Sequence, residues 1–83
     1  MKLLYFAWVK ARIGKAEETL TPPPDVTTVA ALMRWLQSRG EGYADAFADP
    51  TRVHAAINHD HVRPDATVSA NDEVAFFPPV TGG

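Results

Sequence analysis

The sequence contains no cysteine among its 83 residues. This absence excludes disulfide bonds, a thiolate nucleophile and any cysteine-based metal site. It also fits a reducing compartment. The apolar run from Leu3 to Val9 is too short to span a bilayer and has no small-residue cleavage site after it, so we expect a cytoplasmic protein that does not enter a membrane.

Positive charge and catalytic groupings are also scarce. Eight Lys and Arg residues stand against ten Asp and Glu residues, for a formal net charge of −2, so we expect no nucleic-acid partner. No paired-carboxylate motif and no phosphate-binding glycine loop is present. A chain of this length forms one domain with room for one core but not for a deep cleft. Whether it is an enzyme stays open, but we expect no active site of its own.

Hydrophobic patterning predicts the elements in the order strand, strand, helix, strand, short strand, strand. The predicted strands are residues 2–9, 16–20, 52–58, 61–62 and 73–77, with a wide hairpin loop over residues 10–15 and tight turns at Asn58 to Asp60 and at Asn71-Asp72. A short second helix or turn is predicted over residues 43–48.

The main helix is predicted from one apolar face. Val29, Leu32, Met33 and Leu36 recur at the spacing of a helical stripe. Thr27 or Thr28 is the predicted N-cap, and Gly40 the predicted left-handed residue at the C-terminal end.

This order of elements is that of the ubiquitin-like β-grasp, an α+β fold in which a mixed sheet of about five strands packs on one main helix. The first and last strands are expected to lie parallel at the sheet centre, which accounts for their apolar composition. Residues 1–78 form the predicted domain, and residues 79–83 form a predicted flexible tail.

Several large apolar side chains fall on the predicted sheet face that points away from the helix. Alternation along the strands places Phe6, His61 and Phe77 there, together with Leu4 and Trp8. Exposed aromatic side chains give a lone small domain no advantage, so we interpret this face as a partner surface. The alternative is that loops cover some of these side chains.

The chain ends in Pro78-Pro79-Val80-Thr81-Gly82-Gly83. Two prolines stiffen the exit from the last strand, and residues 79–83 can extend at most about 17 Å. Glycine has no Cβ, so the final dipeptide can pass through a narrow tunnel into another protein. Conversion of the Gly83 carboxylate to an acyl-adenylate would let a sulfur donor replace AMP and leave a thiocarboxylate.

The segments Leu3 to Ala7 and Asp72 to Gly83, with Asn58 after an apolar strand, resemble the small subunits of molybdopterin synthase. The resemblance covers essentially the whole chain. It implies a sulfur carrier, a non-catalytic small subunit that binds no cofactor, with ATP used by a ubiquitin-activating-like adenylyltransferase. It also implies a heterotetramer in which the large synthase subunit transfers the sulfur to precursor Z.

The same resemblance implies roles for individual residues. Gly83 bears the adenylate and then the sulfur, and Thr81 and Gly82 thread the partner's active site. The implied partner-binding residues are Phe6, His61, Phe77, Pro78, Pro79 and Val80. An apolar residue is common in that family at the position of His61.

Other interpretations remain open. The alternatives are a sulfur carrier for thiamine or tRNA thiolation, a ubiquitin-like protein modifier, and an interaction domain whose tail is inert. Three histidines lie close in the sequence, but only His59 and His61 share a strand face, and His54 does not join them. We therefore predict no metal site and interpret them as surface histidines.

Overall fold

The computed structural model describes residues 1–79, so the predicted sites Val80, Thr81, Gly82 and Gly83 lie outside the described residues. Within them the elements are, in chain order, β1 (Lys2–Tyr5), α1 (Ala7–Ile13), β2 (Glu17–Thr19), α2 (Val29–Gln37), α3 (Glu41–Ala46), a 3₁₀ turn (Pro50–Arg52), β3 (His54–Ile57), β4 (Asp60–Val62) and β5 (Glu73–Phe77).

The strands form a mixed sheet in the order β2-β1-β5-β3-β4. β1 and β5 run parallel at its centre, and the other neighbouring pairs are antiparallel. Both central strands bury apolar side chains on the helix side, and Leu3, Val74 and Phe76 are fully buried. The predicted β-grasp order and the predicted bounds of the last strand are confirmed.

The main helix α2 forms where its apolar stripe predicts it. The Thr28 side chain accepts a hydrogen bond of 3.1 Å from the Ala31 N–H and so caps the helix. All four stripe residues are buried, namely Val29, Leu32, Met33 and Leu36. The stripe therefore packs α2 on the inner face of the sheet, which leaves the opposite face uncovered by this helix.

Gly40 was expected to end α2, and this prediction is wrong. The helix ends at Gln37, and its C-cap Ser38 keeps a right-handed backbone conformation. Gly40, with φ of 156°, instead precedes α3, and its carbonyl accepts from the Ala44 N–H at 2.9 Å. The reason is that a second helix follows almost at once, so the glycine serves that helix's first turn.

The first strand is shorter than predicted, because the chain turns into α1 after Phe6. Ala7 takes a positive φ of 53°, and α1 replaces most of the predicted hairpin loop over residues 10–15. Val9 is fully buried from this helix, which ends at Gly14 with φ of 92°. A helical turn thus buries an apolar residue that the prediction assigned to a strand.

Trp8 consequently lies on α1 and not on the outer face of the sheet, which corrects the predicted surface. Its ring is half-buried. The Arg12 guanidinium lies over the ring at 4.6 Å from the centroid, and that of Arg52 at 6.0 Å. The indole is therefore covered by cationic side chains of its own domain.

A partly buried polar cluster joins β1, β2 and α3. The hydroxyls of Tyr5 and Tyr43 both donate to Glu18 Oε2, at 2.7 and 2.6 Å, and Lys15 Nζ lies 3.3 Å from Oε1. Burial alone would raise the pKa of Glu18, but the hydrogen bonds from Tyr43, Tyr5 and Lys15 lower it overall.

The same contacts change the pKa of the donors. Burial, together with the Glu18 carboxylate, raises the pKa of Tyr5 far above its ordinary value. The hydrogen bond to Glu18 raises the pKa of Lys15. The cluster therefore favours an ionised carboxylate held by neutral tyrosines, and it fixes α3 against the edge of the sheet.

Candidate functional site: the outer sheet face and the base of the tail

Strand pairing aligns small and apolar side chains on the face that points away from α2. Leu4 stands beside Ala75 across the β1–β5 pair, and Ala75 stands beside Ala56 across the β5–β3 pair. Ala56 is in turn paired with His61 of β4. Because side chains alternate along each strand, these residues share the outer face. His61 points outward, as predicted.

Leu4, Ala75 and Ala56 of this row form the floor of an open depression of about 380 Å³, whereas His61 lies outside it and lines a neighbouring groove. The lining of the depression consists of Leu4, Phe6, Ala56, His59, Glu73, Ala75 and Phe77. We call this set the docking surface. Its floor is apolar, and its two polar members lie at one end, where His59 Nε2 is 3.3 Å from a Glu73 carboxylate oxygen. An apolar floor with a polar rim is the arrangement found at protein interfaces.

Phe6 is the most exposed hydrophobic residue of the docking surface. Its side chain is 49% exposed, and it is the one large hydrophobic residue classed as exposed within residues 1–79. Its backbone is fixed on both sides: its N–H donates to the Phe76 carbonyl at 3.1 Å, and its own carbonyl accepts from Val9 and Lys10. The ring is therefore held out into solvent by a backbone that is hydrogen-bonded through both its N–H and its carbonyl, as a partner anchor requires.

The base of the tail lies at the end of the docking surface. Phe77 closes β5, and Pro78 and Pro79 follow, all three half-buried. Proline has no N–H to donate, so the ladder stops here. The predicted contact residues Phe6 and Phe77 are thus brought to one depression, and Pro78 and Pro79 directly continue its edge. Val80 to Gly83 follow, outside the described residues.

The histidines are arranged differently from the prediction. His54, which was not expected to join the others, lies with Nδ1 only 3.1 Å from Nε2 of His61. Both rings approach Phe77, with ring centroids 6.0 and 5.7 Å away. His59 turns instead to Glu73. Sequence reasoning missed His54 because its partner is seven positions away, and only the strand register brings the two together.

Within residues 1–79, no group of three or more His, Cys, Asp or Glu side chains is placed to hold a metal ion. Among the helices of residues 1–79, none has the length and apolar character needed to cross a membrane.

Comparison with known proteins gives a consistent result along the whole chain. The ThiS family profile matches residues 3–83. A protein of Escherichia coli named "Molybdopterin synthase sulfur carrier subunit" is 37% identical over 83 residues, which cover 100% of this chain and 99% of that protein. A protein of the same name from Haemophilus influenzae is 32% identical over 83 residues, with 100% and 99% covered.

A solved structure, that of SAMP1 from Haloferax volcanii, superposes with a TM-score of 0.73 at 22% identity, covering 100% of this chain and 98% of that one. At this identity the likeness shows the fold alone. That fold is the predicted ubiquitin-like β-grasp.

Proposed function

We propose, from the premise that this chain belongs to the ThiS family, that it is the sulfur carrier subunit of molybdopterin synthase. The observation that carries the proposal is the full-length match, at 37% identity, to a protein that bears this name. Because the match covers all of this chain, it includes the docking surface, the base of the tail and the C-terminal Gly-Gly together.

The proposed cycle takes place at the Gly83 carboxyl group. A carboxylate oxygen attacks the α-phosphorus of ATP in an adenylyltransferase partner, which releases pyrophosphate and leaves an acyl-adenylate. A sulfur donor then displaces AMP and leaves a thiocarboxylate. Transfer of that sulfur to precursor Z, with water supplying the oxygen, returns the carboxylate. The chain binds no cofactor of its own in this cycle, since ATP belongs to the activating partner.

The described residues would supply recognition and aim. Phe6 and Phe77 would present an apolar face to the large synthase subunit. Burial of such aromatic anchors dominates the energetics of many interfaces. Pro78 and Pro79 direct the chain out of the sheet beside these anchors. Docking at the surface and delivery of Gly82 and Gly83 would therefore be one event. We propose that this event takes place in the cytoplasm, as the sequence predicts.

The direct test is an intact-mass measurement on the full chain. Incubation with ATP, a competent activating enzyme and a sulfur source should raise the mass by the difference between one sulfur and one oxygen atom. A variant that lacks Gly83 is the matched control and should show no gain. If the wild-type mass stays unchanged while the enzyme charges another carrier, the proposal is wrong.

A second measurement separates this product from the alternatives. Binding to the large synthase subunit, and formation of molybdopterin from precursor Z by the reconstituted pair, support the proposal. Sulfur loading without such binding would indicate a carrier for thiamine or tRNA thiolation. Isopeptide conjugates that disappear when Gly83 is deleted would instead indicate a protein modifier.

A further inference from the structure

The pair formed by His54 and His61 has no place in the proposed sulfur chemistry. The two imidazole rings lie nearly parallel, with an interplanar angle of 19° and centroids 5.1 Å apart. His54 Nδ1 and His61 Nε2 are 3.1 Å apart, so one nitrogen donates a hydrogen bond to the other. His54 is half-buried, and His61 is exposed.

The strand register holds the two rings in this relation. His54 of β3 is paired with Phe77, and His61 of β4 is paired with Ala56, two positions further along β3. The histidines are thus diagonal neighbours on one face of an antiparallel pair, a distance that ring side chains can bridge. The Phe77 ring lies against both. Bringing the two nitrogens together therefore needs no backbone rearrangement.

We propose that His54 Nδ1 and His61 Nε2 form a two-ligand site for a divalent first-row transition-metal ion such as Zn²⁺. Imidazole nitrogens bind zinc at about 2.0–2.1 Å, and two nitrogens 3.1 Å apart then subtend roughly 95–100° at the ion. This angle lies between the octahedral and tetrahedral values. The proton between the two nitrogens moves to the other nitrogen of its own ring, the ion takes its place, and each ring turns so that its lone pair points at the ion.

The proton balance is simple. Each neutral imidazole carries one ring proton, so the metal-bound state places it on Nε2 of His54 and on Nδ1 of His61, and no proton is released. An imidazolium must lose a proton first, so binding weakens in acid. Metal binding therefore requires one particular tautomer of each ring, and a nitrogen spectrum can show whether that tautomer is present.

The surroundings leave space for the remaining ligands. Both histidines line an open groove of about 420 Å³ next to β4, and water can complete the coordination there. Within residues 1–79, Thr51 and Arg63 are the other polar side chains in its lining, and no acidic side chain of these residues lines it. The positive charge of Arg63 repels a bound cation. Removal of this charge should therefore strengthen metal binding.

The site borders the docking surface, because Phe77 contacts both histidines. A bound ion would place positive charge beside the apolar floor, where a partner would meet it. The inference goes beyond the proposed function, however, and its test needs neither the synthase partner nor the C-terminal glycine. Failure of one proposal leaves the other standing.

The test is a titration of the untagged, full chain with Zn²⁺, followed through the ring nitrogens by ¹H–¹⁵N spectroscopy. Saturable changes should appear at His54 Nδ1 and His61 Nε2. His54→Asn and His61→Asn should each weaken binding by at least the roughly 10–100-fold that loss of an outer-shell partner costs. Arg63→Gln should tighten it.

His59→Asn is the matched control, since its ring is 88% exposed and lies against Glu73. It should leave the affinity unchanged. The proposal is overturned if no saturable change is seen, if His59 responds as strongly as the pair, or if His54→Asn binds like the wild type. The spectrum of each variant without zinc reports whether it is folded.

Discussion

Replacement of Glu18 by glutamine tests the account of the partly buried polar cluster. The change keeps the size of the side chain but removes the charge that accepts hydrogen bonds from Tyr5 and Tyr43, at 2.7 and 2.6 Å. Hydrogen bonds to a charged group contribute about 1.5–3 kcal/mol each, and neutral ones about 1 kcal/mol. With both bonds weakened but not lost, Glu18→Gln should cost about 1–3 kcal/mol at neutral pH.

The cost should depend on pH in a defined direction. The pKa of Glu18 is lower in the folded chain than its ordinary value of 4.5. Its contribution to stability is therefore complete above that value and is lost as the pH falls through the folded pKa. The difference between wild type and variant should shrink accordingly in acid.

Thermal unfolding followed by circular dichroism, from neutral pH downward, is a suitable assay. For a domain of this size about 1–3 kcal/mol corresponds to a lowering of Tm by roughly 5–20 °C. Glu17→Gln is the matched control on the same strand, because the Glu17 side chain is 60% exposed and pairs with Lys2, which is also exposed. Equal losses in the two variants, or a Glu18→Gln loss that does not shrink in acid, would refute the reasoning.

Three further predictions concern the docking surface and two backbone positions. Phe77→Glu should weaken binding of the large synthase subunit by at least about 2 kcal/mol, roughly 30-fold, while the monomer stays folded. Calorimetric titration measures the binding, and circular dichroism measures the folding. An unfolded monomer would show that Phe77 is assigned to the wrong face. Ala7→Gly should stabilise by up to about 1 kcal/mol in urea unfolding, since Ala7 has a positive φ of 53°, and a destabilised variant would contradict this. Gly42→Ala should destabilise by about 1–3 kcal/mol in the same assay, although Ala is the better helix former, because a Cβ would lie 2.6 Å from the Arg12 carbonyl oxygen; a stabilised variant would show that α1 moves aside freely.

Much of the fold could be predicted because its signals are local and periodic. The stripe from Val29 to Leu36 has one spacing that fits only a helix, and Glu73 to Phe77 alternates between buried and outer side chains. The turn at Asn58 and His59 was also predictable, because Asn tolerates the left-handed backbone of a tight turn. In the structure both residues take the positive φ that a tight hairpin turn requires. These features depend on a few neighbouring residues each.

The rest depends on contacts between distant residues. In an apolar run such as Leu3 to Val9, the spacing of hydrophobic residues does not distinguish one long strand from a strand followed by a helix. Val9 is buried, and both arrangements would bury it. Gly14, with Lys10 and Arg12 before it, is a signal for the end of a helix. The prediction instead assigned these residues to a hairpin loop. The meeting of His54 with His61 requires the register of β3 and β4, which no local pattern specifies.

The pairing of β1 with β5 has a consequence for synthesis. The two central strands come from opposite ends of the sequence, so the middle of the sheet has no partner for its first strand until the last one has been made. A ribosome must release the chain through β5 before the core can close, and chains that stop before that strand stay unfolded and open to proteolysis.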